Sequence, residues 1–153
     1  MDDRLFRNTM GKFATGVTVI TTAVDGVPYG MTANAFMSVS LSPKLVVVSI
    51  GENAQMNSRI SKAGEFGVSF LAEEQKDLSM IFAGQVKENQ KVEFKWLNNL
   101  PVIENAIANL TCKVYNTHIE GDHTLYIGEV TDIDVVEGNN PLVFYEGKYQ
   151  EIH

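Results

Sequence analysis

The chain has 153 residues, of which 44% are hydrophobic and 20% are charged, and its formal net charge is −7. This length and balance predict one folded domain over residues 1–153, and they exclude a disordered chain. An acidic surface repels phosphate backbones and anionic headgroups, so we expect no nucleic-acid binding and no membrane binding.

Apolar periodicity and turn residues predict the elements in chain order. Phe6, Met10 and Phe13 share one helical face over 4–13, with Asp2 or Asp3 as the cap and Gly16 as the end. Strands are predicted over 17–22, through Tyr29 and Met31, and over 45–50, 66–71, 108–119, 124–135 and 142–145. Helices are predicted over 53–63, capped by Asn53, and over 73–83, whereas 84–99 has no clear pattern.

Six or seven strands joined by short turns predict a mainly β fold with a few helices, arranged as an antiparallel barrel. The run 45–50 is apolar throughout and predicts a strand buried on both faces. Cys112 is the single cysteine and lies in an alternating apolar run, which predicts a small buried residue. One cysteine allows no internal disulfide, and Met1-Asp2-Asp3-Arg4 lacks the apolar core of a signal peptide, so we expect a cytoplasmic protein.

Several common sites are absent from the sequence. It has no Gly-x-Gly-x-x-Gly turn, no Walker loop, no Gly-x-Ser-x-Gly elbow and no cysteine or histidine cluster with zinc spacing. His118 and His123 flank Glu120 and Asp122, but this is a predicted hairpin turn, where polar residues are usual. We therefore expect no metal.

The segment 27–51 is unusual because Lys44 is its only charged residue, although it holds many short polar side chains. Hydroxyl and amide groups such as those of Thr32, Asn34 and Ser38, mixed with apolar residues, suit a flat polar heterocycle. The alternative is a loop whose serine and threonine side chains bond their own backbone, and the pattern alone favours this alternative.

The helix predicted after Asn53 offers free N–H groups, with Ser58, Arg59 and Lys62 following. These features suit an anion in an otherwise acidic protein. A solvated helix face explains them equally well.

Three stretches in order, covering most of the chain, resemble one known family. They are 6–21, which contains Phe13-Ala14-Thr15-Gly16, then 30–41, which contains Met31-Thr32-Ala33-Asn34, and finally 121–130, which begins Gly121-Asp122-His123. All three are similar to signatures of the short-chain flavin reductases, and in particular to the reductase components of two-component aromatic hydroxylases.

The resemblance implies a split antiparallel β-barrel that forms a homodimer in the cytoplasm. It implies an oxidoreductase that oxidises NADH and supplies reduced FAD or FMN to a separate monooxygenase in the breakdown of aromatic hydrocarbons. Two alternatives are another split-barrel flavoprotein of the pyridoxamine-phosphate oxidase type and a flavin-binding electron carrier.

The resemblance also implies the site residues. Contacts to the flavin come from Met31, Thr32, Ala33, Asn34, Ala35, Phe36 and Ser38, with Ser49 and Ile50 under the ring, Phe82 beside it, and Asn53, Ala54 and Arg59 near the phosphate. His123, Lys148 and Tyr149 lie near the nicotinamide, and no catalytic side chain is expected because hydride passes between the cofactors. Glu52-Asn53-Ala54-Gln55 replaces a serine-rich stretch of many relatives, which leaves FAD and FMN both open. Phe36, Phe82 and Trp96 are expected at the subunit interface.

Overall fold

The computed structural model describes residues 1–84 and 92–152. Its helices are α1 (Asp3–Gly11), α2 (Met56–Ala63) and α3 (Lys76–Phe82), and a 3-10 turn over Glu73–Gln75 precedes α3. Its strands are β1 (Thr15–Gly16), β2 (Thr18–Val24), β3 (Val27–Ala33), β4 (Phe36–Leu41), β5 (Lys44–Gly51), β6 (Glu65–Phe70), β7 (Phe94–Leu97), β8 (Leu100–Ile103), β9 (Ala108–Glu120), β10 (His123–Val135), β11 (Val143–Tyr145) and β12 (Lys148–Gln150). No helix in these ranges is long and apolar enough to cross a bilayer.

A seven-stranded antiparallel sheet dominates the architecture, in the order β3-β2-β6-β9-β10-β5-β4. It curls so that β3 approaches β5. Asp25 and Gly26 both adopt positive φ and close the β2–β3 hairpin, which is the turn geometry that matches strand twist. Two smaller sheets, β1-β11-β12 and β7-β8, complete the fold. The predicted mainly β antiparallel class is confirmed.

The buried side chains form two clusters. The larger one fills the curled sheet and includes Ile20, Val48 and Phe66, and α2 closes it with Met56 and Ile60. The smaller one includes Val19, Leu71, Ile103 and Leu142 and is flanked by Phe82, Phe94 and Tyr149. Cys112 lies in the larger cluster, as its alternating pattern predicts, and burial raises the pKa of its thiol to about 12.

The helix ends differ from the predictions. The Asp2 carboxylate does cap α1 by accepting from the Arg4 N–H, but α1 ends at Gly11 with Lys12 as its C-cap, so Gly16 is not its end. Asn53 does not cap α2, because Gln55 occupies that position and makes no side-chain cap bond. The apolar face predicted for α1 exists, yet no residue of α1 is buried within the chain.

The strand predictions were wrong in two respects. In β5, Val46, Val48 and Ile50 are buried and alternate with half-buried neighbours, so only one face is fully covered. The described part of the chain holds more strands than six or seven, because β1 and β4 were not predicted. Strands β7, β8 and β12 were not predicted either. Their hairpins turn at Asn98-Asn99 and at Glu146-Gly147, where both residues of each pair have positive φ. Residues 85–91 of the unassigned 84–99 segment lie outside the described residues.

Candidate functional site

The low-charge segment forms the strands β3, β4 and β5 and the connection between β3 and β4. Asn34 and Ala35 connect β3 to β4, and β4 pairs with β5 so that Phe36 lies opposite Val48. The Ser49 N–H of β5 donates to the Ala35 carbonyl at 3.1 Å. The predicted flavin residues of β3, β4 and β5 are therefore close together in space.

The connection offers hydrogen-bonding groups to a ligand. Among the described residues, the backbone N–H groups of Asn34, Ala35 and Asn53 make no hydrogen bond, and the side chains of Asn34 and Ser38 are exposed. The Thr32 hydroxyl donates to the Ser79 carbonyl at 2.6 Å, so its oxygen is left to accept from a ligand. Free donors and acceptors beside apolar residues fit the carbonyl and nitrogen edge of an isoalloxazine ring.

The β9–β10 hairpin places His123 against the end of β5. His123 pairs with Gly51 in register, and the Glu52 N–H donates to the Asp122 carbonyl at 2.9 Å. The His123 Nδ1 and the Asp122 carboxylate are 2.8 Å apart, and this hydrogen bond lowers the pKa of Asp122. The predicted nicotinamide histidine is thus next to the loop 52–54, which carries the predicted phosphate residues Asn53 and Ala54.

A brace that the sequence did not reveal holds this loop. The Asn57 side-chain amide donates to the Gly51 carbonyl at 2.8 Å and to the Ala54 carbonyl at 3.1 Å, while its oxygen accepts from the Tyr126 hydroxyl at 2.8 Å. Burial raises the pKa of Tyr126 above its ordinary value, which is already high enough for this donor to be protonated at neutral pH. The one sequence signal was an asparagine inside a predicted helix, where this residue type is disfavoured.

Arg59 also has a partner that the sequence did not indicate. Its guanidinium lies 3.7 Å from the centre of the Tyr29 ring, and it donates to the Gln55 side chain at 2.9 Å. The cation–π contact orients the positive charge of α2 next to β3. The predicted phosphate residue is therefore held near the strand that leads into the flavin segment.

Two predicted ring neighbours pack inside the chain. The Ile50 side chain is fully buried in the larger core cluster, so it leaves only its backbone for contact with a ligand. The Phe82 ring lies over β3, where it would come within 2.7 Å of a Cβ atom at Gly30, and its centre is 5.9 Å from that of Phe94. Trp96, in contrast, is half exposed on β7.

The C-terminal hairpin is connected to the flavin segment through α3. The Tyr149 hydroxyl shares a hydrogen bond of 2.7 Å with the Ser79 hydroxyl, and the Ser79 carbonyl accepts from Thr32. The Lys76 ammonium lies 5.7 Å from the Tyr149 ring centre. Lys148 is exposed next to Tyr149. Tyr149 is therefore linked to the flavin segment by one intermediate residue.

Two cavities adjoin the described residues. One of about 310 Å³ is lined by Asn34 and Phe36 of the flavin segment together with Phe13, Thr15 and Phe70. The larger, of about 520 Å³, is lined by Glu74, Glu93 and Glu104 and contains no predicted flavin residue. The smaller cavity is the relevant one because it continues the predicted site.

In the part of the chain described, the histidines of the β9–β10 hairpin do not belong to a metal-binding cluster. His118 lies opposite Leu125 and His123 opposite Glu120. Over residues 1–84 and 92–152, no group of three or more histidine, cysteine, aspartate or glutamate side chains is arranged to hold a metal ion.

The curled antiparallel sheet places a polar, nearly uncharged segment next to Arg59, an arrangement that suits a ligand with a flat polar ring and an anionic group. The family model described as flavin reductase like domain matches residues 10–153, and the chain belongs to this family. It is 45% identical over 150 residues to a NADH-dependent flavin reductase of Rhodococcus sp, covering 95% of this chain and 84% of the relative.

Two further likenesses agree. The chain is 35% identical over 147 residues to the reductase component of 4-hydroxyphenylacetate 3-monooxygenase of Thermus thermophilus, covering 96% and 95% of the two chains. The solved structure of the flavin reductase PheA2 in its native state superimposes with a TM-score of 0.97 at 57% identity, covering 100% and 99%. The family, the fold and the reductase class that the resemblance implied are confirmed.

Proposed function

We propose that this chain oxidises NADH and reduces FAD or FMN, and that the reduced flavin passes to a separate monooxygenase that hydroxylates an aromatic compound. The observation that carries the proposal is the uncharged segment 30–38, in which the N–H groups of Asn34 and Ala35 have no partner among the described residues and Asn34 and Phe36 line the smaller cavity. The lone buried cysteine supports a reducing, cytoplasmic setting.

The chain's own residues bind and orient the two cofactors. The N–H groups of Asn34 and Ala35 and the Asn34 amide hold the ring edge, and Ser38 and Ser49 contact the ring and the ribityl chain. The loop 52–54, braced by Asn57, approaches the phosphate together with Arg59, whose charge offsets the acidic surface. Bound flavin and nicotinamide supply the hydride chemistry themselves, with transfer from the nicotinamide to the flavin ring.

His123, Lys148 and Tyr149 form the nicotinamide end of the proposed site. The imidazole is fixed by Asp122, and the phenol is fixed by Ser79. Such fixed groups accelerate hydride transfer by orientation, since small misplacements of the reacting atoms slow it strongly. No proton transfer by a side chain is needed.

Two copies of the chain complete the proposed enzyme. Apolar side chains of α1, β4 and the outer half of the β9–β10 pair are exposed in the single chain. A second copy that covers them would form the homodimer, with one flavin in each of two sites near the interface.

The test follows the 340 nm absorbance of NADH and the visible absorbance of oxidised flavin after purified chain is mixed with NADH and with FAD or FMN under anaerobic conditions. We expect NADH oxidation coupled to bleaching of the flavin. In air-equilibrated buffer with phenol added, we expect no hydroxylation of phenol by this chain alone. Flavin that binds but stays oxidised in NADH would favour the electron carrier instead. Phenol hydroxylation by the isolated chain would contradict the need for a separate monooxygenase.

A further inference from the structure

Ser79 contacts two parts of the proposed site at once. It lies in α3 and is fully buried. Its backbone carbonyl accepts from the Thr32 hydroxyl of β3 at 2.6 Å, and its side-chain hydroxyl shares a 2.7 Å hydrogen bond with the Tyr149 hydroxyl of β12. Thr32 belongs to the predicted flavin segment and Tyr149 to the predicted nicotinamide end.

The position is a poor one for a serine unless its hydroxyl has a use. Alanine is a better helix former and carries no hydroxyl to bury. The Tyr149 ring is already packed, because its centre lies 5.5 Å from that of Phe144 and Lys76 lies over its face. Packing alone does not fix the hydroxyl group of Tyr149. The hydrogen bond with Ser79 fixes the phenolic oxygen and the rotation of its O–H bond, which sets the direction of the free lone pair.

We propose that Ser79 is a positioning residue for the reductase reaction: its hydroxyl fixes Tyr149 relative to the flavin segment, so that NADH is held correctly for hydride transfer. This inference rests on the proposed placement of Tyr149 beside the nicotinamide. Ser79 touches neither reacting ring in it and exchanges no proton or electron. Its two bonds are also chemically separable, because the one to Thr32 uses the backbone and the one to Tyr149 uses the side chain.

The test is Ser79→Ala, which removes the bond to Tyr149 and keeps the carbonyl that accepts from Thr32. We expect the flavin dissociation constant to change less than about twofold, while the second-order rate of reduction by NADH falls about 10-fold, as for other small misplacements. Tyr149→Phe removes the same bond from the other side, so the same selective loss is expected. The double variant should be no slower than either single variant, because both lose one shared interaction.

Ser69→Ala is the matched control. Ser69 is also fully buried, and its hydroxyl accepts from the Ile103 N–H at 3.0 Å in β8, outside this network. It should lower the melting temperature and leave the NADH rate unchanged. A Ser69→Ala rate defect as large as that of Ser79→Ala would reduce the effect to general destabilisation and overturn the inference.

Three further outcomes would also overturn it: a wild-type NADH rate in Ser79→Ala, a loss of flavin affinity that accounts for the whole rate defect, or additive losses in the double variant. If Ser79→Ala does not fold, Tyr149→Phe decides alone, since Tyr149 is partly exposed. A wild-type chain that binds flavin yet ignores NADH would instead contradict the proposed function. An active wild type with a normal Tyr149→Phe contradicts the roles of Ser79 and of the Tyr149 hydroxyl and leaves the reductase function standing.

Discussion

His123 carries the most specific role proposed for a single residue. Its imidazole is bonded to Asp122 and lies next to Gly51, at the junction of the hairpin and the phosphate loop. We expect His123→Ala to slow flavin reduction by NADH about 10- to 100-fold, because the nicotinamide loses a contact that orients it. Flavin affinity should stay near the wild-type value, since the histidine lies outside the flavin segment. Stopped-flow absorbance with saturating flavin measures both.

His118→Ala is the control for this prediction, because it removes another exposed imidazole from the same hairpin and none of the proposed contacts.

The pH dependence separates two roles of His123. The hydrogen bond with His123 lowers the pKa of Asp122 below its ordinary value, so this carboxylate stays charged throughout the neutral range. A defect that varies between pH 5 and 9 would therefore indicate proton transfer by the histidine, and a constant defect would indicate orientation. A normal rate at every pH would remove His123 from the site.

At the scale of elements, the packing of α3 on β3 depends on Gly30 having no side chain. A Cβ atom at Gly30 would come within 2.7 Å of the Phe82 ring and 3.2 Å of Val19. We expect Gly30→Ala to push Phe82 aside and to cost about 1–3 kcal/mol of unfolding free energy, as overpacking of a filled site does. Denaturant unfolding measures the loss.

Gly16→Ala is the control for Gly30→Ala, because nothing lies within 4 Å of its added methyl group and its φ is not positive. Its stability should equal or slightly exceed that of the wild type. Gly30→Ala with Phe82→Leu should recover part of the loss, because the smaller side chain gives way. Equal stability of Gly30→Ala and the wild type would show that α3 is not held by this contact.

The elements also show how far local pattern reaches. Long alternating runs fixed β9 and β10, and apolar spacing identified the Met56 and Ile60 face of α2. Strands β7 and β8 were missed because each has four residues and β8 contains a proline, although Asn98-Asn99 is a recognisable two-residue turn. Short strands are held by tertiary contacts such as the Thr21 hydroxyl donating to the Pro101 carbonyl, which no local pattern encodes.

The candidate site also contains residues that the sequence could predict and residues that it could not. The flavin segment could be predicted because its composition is unusual and its motif is shared with a family. Asn57, Tyr29 and Ser79 could not, since each acts through a partner distant in sequence, as in the Ser79–Tyr149 bond. Their types and spacing are ordinary, and only the folded chain brings the partners together.

At the scale of the whole molecule, the single chain leaves a large apolar surface exposed. α1 has nine residues, and none of them is buried. Among the described contacts, its C-terminal end is held by the hydrogen bond from the Glu146 N–H to the Gly11 carbonyl and by the adjacent Lys12–Glu146 ion pair. Isolated helices of this length are marginal in water, so α1 needs a surface that covers Phe6, Met10 and their neighbours. Leu41 on the edge strand β4 and Ile119 on β9 are each 80% exposed. Such apolar patches mark association surfaces.

We therefore expect light scattering after gel filtration to give twice the chain mass of 16.9 kDa. Phe6→Glu and Ile119→Glu place a charge in the proposed interface, where an unpaired buried charge is costly, so each should shift the species toward monomer and weaken flavin binding. Val27 is half exposed at the start of β3 and lies outside this set, so Val27→Glu should remain a dimer. A wild-type monomer that still binds flavin would contradict the dimer. Dimers in both interface variants would mean that the second copy covers a different surface.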